Sequence, residues 1–429
     1  VRKLTYFLFF LLIFLLGFMQ PSAHILGQRI PAVDFIFSAA FLVWGIALWR
    51  GDLKFYLGGF YLPLAFYFLA MAVSVVFSVN PQSSFIKLLG EAYLLMLAVM
   101  AYNLIRDANS LKRLTQVWLA SAAIVVAIGV ATIFLFYFER ENWLLEYTLY
   151  MYGAVPVGNY PRIASTMNSA NALCNYLTIS LLMLFLAERL GWIKAAVFYC
   201  LYFCLVLVAF FTLSSTLGGV ALVLGVWLWL MLKNKNCLIA YACFIFGLVV
   251  ASGFLVLNLI AMQPHESAAY SFNLPFTEQI LSPSPRLMVW EDALKTFSEN
   301  FWTGRGLGQN AAQVVFRNTD GHNSILLDAH NTVLSVAAQT GVFGLAAMLW
   351  LMFYLGRRSF PLRLTSQPLA TIRTCLGLAF LGAFIFQGIS GSFEDSRHIW
   401  VMFGLLASVS DNSFALARNT DAAPANSNA

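Results

Sequence analysis

Residues 328–356 read DAHNTVLSVAAQTGVFGLAAMLWLMFYLG, a polar lip followed by an uncharged run to Gly356. Crossing a hydrocarbon core about 30 Å thick takes roughly 20 apolar residues in a helix. This stretch has them, so it reads as a membrane span with Asp328, His330 and Asn331 at its mouth. Comparable runs fall at 4–20, 31–49, 55–79, 85–105, 115–138, 170–187, 193–211, 215–232, 237–262, 368–389 and 398–410, which makes twelve spans in all.

Composition agrees. The chain is 60% hydrophobic and only 10% charged, against roughly 25% charged in a soluble domain. Such a balance cannot be wrapped around a water-soluble core. The expected fold is therefore an all-α polytopic integral membrane protein, with residues 1–410 as one transmembrane domain. Residues 411–429, ending DAAPANSNA, are expected to form a disordered cytoplasmic tail. The opening VRKLTYFLFFLLIFLLGFMQ resembles a secretory signal but reads as the first span, because further spans follow. All six cysteines lie inside apolar spans and read as small hydrophobes, neither disulfide partners nor metal ligands.

Basic residues orient the spans, since cytoplasmic loops carry excess Lys and Arg. With the N-terminus inside, the inner loops hold Arg2, Lys3, Arg50, Lys54, Arg106, Lys112, Arg113, Arg189, Lys194, Lys233, Lys235, Arg357, Arg358, Arg363 and Arg418. Arg373 sits near the inner end of its helix, and the longer outer loops hold only nine basic residues. Both termini come out cytoplasmic, and the net charge of +6 reflects topology rather than a nucleic-acid partner. The chain's immediate surroundings are membrane lipids.

Two loops are long, 139–169 and 263–330, and both are outside. Long loops between helices are uncommon and usually functional. All five histidines (His24, His265, His322, His330, His398) fall on this outer side, so chemistry belongs there. In the second loop, SPSPRLMVWEDALKTFSEN predicts a short helix with Ser284 as cap and Pro285 at its first position. Its apolar stripe is Leu287, Trp290, Leu294 and Phe297, expected to lie along the membrane interface with Trp290 at headgroup level. Arg286 in its first turn is either a surface group reaching for headgroups or a bidentate fork for phosphate. FWTGRGLGQN follows. Without a preceding strand or a Gly-Lys-Ser/Thr ending it is a tight turn, not a phosphate loop; its Arg305 is a secondary anion binder. In the first loop, Arg162 precedes the polar run Ser165, Thr166, Asn168, Ser169 and Asn171. These residues are either helix caps or, with Arg162, the rim of a diphosphate site.

His330 is the outer side's candidate for proton chemistry, because its unperturbed pKa of about 6.5 allows a neutral base. The dipole at the helix start disfavours the imidazolium. The plainer alternative is a structural histidine beside a cap, supplied by Asp328 or Asn331. His322 and His330 lie eight apart without a metal-binding pattern.

Taken in order, PRIASTMNSANA (161–172), RLMVW (286–290), TGRGLG (303–308) and DAHNTVLSVAAQTGVFGL (328–345) resemble the O-antigen ligase and polymerase superfamily. The likeness implies a fold of the large, glycosyltransferase-C-like membrane type. It implies an inverting transfer of glycan from undecaprenyl diphosphate to an acceptor hydroxyl on the periplasmic face, with no metal, cofactor or nucleotide sugar. In O-antigen ligases the acceptor is a sugar of lipid A–core, and the enzyme resides in the inner membrane of Gram-negative bacteria. By motif position, His330 matches the family's essential histidine beside Asn, Arg286 the arginine of the pre-helix motif, and Arg162 that of the earlier loop. Arg305 joins them as a donor-binding candidate, with Asn331, Asn168, Asn171 and Trp290 in support. One departure stands out: many relatives carry a Ser-Arg pair where this chain reads TLSSTLGG, with Ser215 at the arginine's place. Either Arg305 or Arg317 is then expected to take its place, or donor recognition differs.

Alternatives within the family are an O-antigen or exopolysaccharide polymerase and a protein O-oligosaccharyltransferase. A lipid flippase or transporter would place ionisable groups near the midplane. Here Glu91 is the main intramembrane exception, one helical turn from Lys87, and a local pair accounts for it.

Overall fold

A computed structural model describes residues 1–20, 22–25, 28–152, 160–214, 216–257, 259–261, 272–273, 280–317, 323–359, 367–391, 396–411 and 413–414. The helices are α1 (Arg2–Leu15), α2 (Ala32–Trp49), α3 (Tyr61–Val76), α4 (Pro81–Leu104), α5 (Ala108–Phe138), α6 (Leu144–Thr148), α7 (Ala170–Arg189) and α8 (Ala195–Phe211). They continue with α9 (Leu217–Leu232), α10 (Cys237–Leu257), α11 (Pro285–Glu299), α12 (Thr332–Ser359), α13 (Gln367–Ser390) and α14 (Arg397–Ser410). Twelve of them occupy the twelve expected apolar runs, while α6 and α11 belong to the two long loops. Among the described residues seven helices are long and apolar enough to cross a membrane, and α3, α8 and α9 are shorter apolar helices. The protein is an all-α polytopic membrane protein.

Capping chemistry moves several boundaries. Asp107 and Ser110 form a reciprocal capping box and start α5 well before its apolar run. Residues 55–60 are apolar but not helical: the Tyr56 amide donates to Asn103 Oδ1 at 2.8 Å instead of to a helical carbonyl. Short antiparallel ribbons also occur in the loops, pairing Leu149–Tyr152 with Pro161–Ile163 and Val314–Arg317 with Asn323–Leu326.

The bundle is organised around α7, whose membrane-length window is 89% buried against 17% for α10. Polar side chains of α7 are satisfied inside: Trp118 donates to Ser180 at 2.9 Å and Tyr176 to Ser121 at 3.1 Å. α9 and α10 touch through Gly225 and Gly247, where a side chain on either would overlap the other's backbone. Close approach through small residues is the usual packing of helices in lipid. Glu91 is held by Lys87 at 3.3 Å, the local pair expected.

α12 is broken at Gly341, whose φ is +67°. The amides of Arg305 and Gly306 donate to the carbonyls of Ala338 (2.9 Å) and Gln339 (3.1 Å), and the Val342 amide donates to Phe301 O at 2.8 Å. Ser74 Oγ of α3 adds a bond to Gln339 O at 2.7 Å. The TGRGLG turn is thus a latch that satisfies the interrupted helix. A side chain at Gly304 would overlap the Gln339–Thr340 peptide, and one at Gly341 the Trp302 carbonyl.

At the opposite end of the bundle, three arginines hold the end of α14. Arg373 donates twice to Val409 O at 3.2 Å, and Arg358 to Ser410 O at 3.4 Å. Arg106 lies 3.7 Å from Asp411, which also accepts from Tyr102. Phe414 is buried, so packed chain extends past the boundary expected at 410; the tail from 415 lies outside the described residues.

Candidate functional site

Four segments meet at the end of the bundle where α7, α12 and α14 begin. The first is the His330 turn. His330 adopts a left-handed backbone, φ +48°, at a cost of roughly 1–2 kcal/mol for a residue with a side chain. The twist lets Asn331 cap α12: its Oδ1 accepts from the amides of Val333 (3.0 Å) and Leu334 (3.2 Å). Asn331 is therefore committed to the cap. Asp328 is not a cap; its Oδ1 accepts from Ser335 Oγ at 3.0 Å while Oδ2 lies 3.5 Å from His330 Nδ1. That distance is long for a hydrogen bond, but the carboxylate favours the tautomer with its proton on Nδ1. Nε2 is left with the lone pair. Burial lowers the His330 pKa below 6.5; Asp328 opposes that shift and the Arg286 charge adds to it.

The second segment is α11. Ser284 caps it by accepting from the Arg286 amide at 3.3 Å, as its sequence predicts. Its face buried in the protein is Val289, Ala293 and Thr296; Leu287 and Leu294, of the stripe expected to meet the membrane interface, are exposed. Trp290 is half-buried and its indole donates to Ala329 O at 2.9 Å, which fastens α11 to the residue before His330. Arg286 sits in the first turn with its Nη1 buried and lacking a hydrogen-bond partner among the described residues. Burial lowers its pKa, and the positive charge of Arg162 lowers it further.

Arg162 comes from the third segment, the ribbon strand Pro161–Ile163. Its Nε donates to Thr212 O at 3.1 Å and its Nη2 to Asn171 Oδ1 at 3.4 Å. The guanidinium lies over the Tyr150 ring, 5.2 Å from the centroid. Asn171 in turn accepts from Ser214 Oγ at 2.5 Å, so the TLSST turn backs the arginine. Ser215 itself lies outside the described residues. The non-glycine residues with left-handed backbones among those described are Ser165, Leu213 and His330. All three fall in the turns that surround this site. Backbone strain of that kind concentrates at functional sites.

A cavity of about 270 Å³ adjoins His330, lined among others by Asn168, Asn171, Gln387, Arg397 and His398. The fourth segment, the start of α14, supplies the last two, which sequence reading missed as site residues. Arg397 is bound by Asp34 through two contacts, 2.7 and 2.8 Å, with Tyr93 donating to the same carboxylate at 2.8 Å. The signal was available in the Arg-His pair at the mouth of the last apolar run. Arg305 is not brought to this cavity: it belongs to the latch at the α12 break. The Arg317 side chain, His265 and His322 lie outside the described residues. No cluster of three His, Cys, Asp or Glu side chains occurs among the described residues.

The Arg286 guanidinium, with a buried nitrogen that has no hydrogen-bond partner among the described residues, thus feels the charge of Arg162 on one side and the His330 imidazole on the other. The fold defines a polytopic membrane protein, with arginine and histidine side chains gathered at one end of its helices. Residues 198–349 match the family model described as O-Antigen ligase, which supports a place for the chain in the O-antigen ligase/polymerase superfamily. The match contains Arg286, Arg305 and His330; Arg162 and the start of α14 lie outside it. No curated protein matches the chain.

Proposed function

We propose that the protein is an O-antigen ligase, which transfers undecaprenyl-diphosphate-linked O-antigen to a sugar hydroxyl of lipid A–core. The observation that carries this reading is Arg286 Nη1, buried without a hydrogen-bond partner among the described residues, on a helix that Trp290 fastens to the residue before His330. His330 Nε2 takes the proton of the acceptor hydroxyl, whose oxygen attacks the anomeric carbon from the face opposite the diphosphate. The bond from that carbon to the diphosphate oxygen breaks, its electron pair leaves with undecaprenyl diphosphate, and the configuration inverts. Guanidiniums at a partly dry site stabilise the charge that grows on the leaving group. The setting that suits this reaction is the inner membrane of a Gram-negative bacterium, with both termini cytoplasmic and the site periplasmic.

The family match supports ligase and polymerase alike. The acceptor separates them. In a deletion strain, loss of all O-antigen capping with long lipid-linked polymer accumulating identifies the ligase; capping by single repeats identifies a polymerase. Donor accumulating on the cytoplasmic face identifies a flippase. A normally inserted His330→Ala protein should lose transfer by about 10²–10⁴-fold, the worth of a positioned base. Full activity in that variant would sink the proposed mechanism.

A further inference from the structure

The transfer chemistry leaves one buried imidazole of the site unused. His398 borders the cavity next to His330 and is only 5% exposed. Its Nε2 lies 2.7 Å from Asn175 Oδ1. The Asn175 amide is oriented by its other end, where Nδ2 donates to Ala383 O at 3.0 Å. Oδ1 is therefore an acceptor, His398 Nε2 carries the proton, and Nδ1 of the neutral ring is an acceptor. No donor among the described residues reaches Nδ1.

We propose that this cavity is the subsite for the acceptor's sugar ring. His398 Nδ1 accepts a hydrogen bond from a second hydroxyl of that ring, selecting which hydroxyl meets His330. The inference rests on the glycosyl-transfer reading above. Size is one support: about 270 Å³ lies just below the roughly 300–1,000 Å³ of ordinary small-molecule sites, room for one sugar and not for a polysaccharide. Chemistry is another. The wall offers the amide of Asn168, a group that exchanges hydrogen bonds with hydroxyls in both directions, and the Nδ2 of Asn171, whose Oδ1 is taken by Arg162 and Ser214. Charge points the same way, because Asp34 neutralises Arg397 and leaves the cavity little attraction for phosphate. Arg162 and Arg286 are absent from its lining. Diphosphate and acceptor thus occupy adjoining compartments, with His330 at the cavity and Asn171 and Tyr150 as the wall towards Arg162.

The test uses the full chain in liposomes with undecaprenyl-diphosphate-linked glycan as donor. The acceptor is lipid A–core or a second lipid-linked glycan, whichever the wild type uses. His398→Phe keeps a flat ring and loses the acceptor nitrogen. His398→Gln keeps one donor for Asn175 and one acceptor for the sugar. The Phe variant should raise the acceptor KM about tenfold, the worth of one neutral hydrogen bond, with donor KM within about twofold. The Gln variant should stay within about threefold of wild type. An unchanged acceptor KM in His398→Phe, or an equal rise in donor KM, overturns the subsite. If the Phe variant does not fold, Asn168→Leu on the exposed lip decides: the acceptor KM alone should rise, and an unchanged value overturns the proposal. Wild-type protein that transfers to neither acceptor defeats the glycosyl-transfer reading itself. A working wild type with the wrong variant pattern defeats only the subsite.

Discussion

Asp328 acts on His330 in two ways, by orienting the ring and by raising the pKa that burial and Arg286 depress. The base works when neutral, so activity should hold at neutral pH and fall as pH drops through a His330 pKa below 6.5. Removing the carboxylate removes the raising influence. In Asp328→Asn the acid limb of the pH–rate profile should move to lower pH, while the maximal rate drops because the ring loses its tautomer preference; an upward move would contradict the assignment. Arg286→Lys should cost at least about tenfold in transfer, since an ammonium cannot reproduce the fork that a guanidinium offers a diphosphate; near-normal donor KM in that variant would count against the role. His330, Arg286 and Arg162 stood out in the sequence as candidates because their motifs are local. Which of Asp328 and Asn331 caps α12 could not be read there. It depends on the left-handed turn at His330, which decides which side chain faces the helix amides.

At the scale of elements, α11 and the broken α12 fix where the site residues stand. Trp290→Phe keeps the ring and removes the bond to Ala329 O, so it should lower the turnover rate several-fold with little change in protein level. Equal loss of level and rate would reduce Trp290 to packing. Gly341→Ala should destabilise the protein by about 2 kcal/mol or more, from the left-handed backbone and overlap with the Trp302 carbonyl, seen as a lower melting temperature in detergent. The start of α11 was legible from Ser284 and Pro285. Its buried face was not, because small residues such as Ala293 carry a weak hydrophobic signal and still make the closest contacts. The latch was half legible: glycines marked a turn, but nothing local reveals that its amides serve a helix thirty residues on.

At the scale of the whole molecule, the twelve apolar helices were legible because hydropathy is a property of composition along the chain. The meeting of Arg397 with Asp34, far apart in sequence, was not, because only folding brings α2 and α14 together. The proposed topology places the Asn168 rim outside and Ser413 inside. In a background with the native cysteines replaced by alanine, Asn168→Cys should react with a membrane-impermeant maleimide from the periplasmic side and Ser413→Cys should not; the reverse pattern would invert the protein. The clamp on α14 by Arg106, Arg358 and Arg373 bears on biosynthesis. α14 is the last of the described helices to leave the ribosome, and it brings Arg397 and His398 to a cavity whose other walls come from earlier segments, from Leu16 to Ser396. A nascent chain halted before α14 inserts lacks that wall, so the cavity beside His330 closes only once α14 is in place.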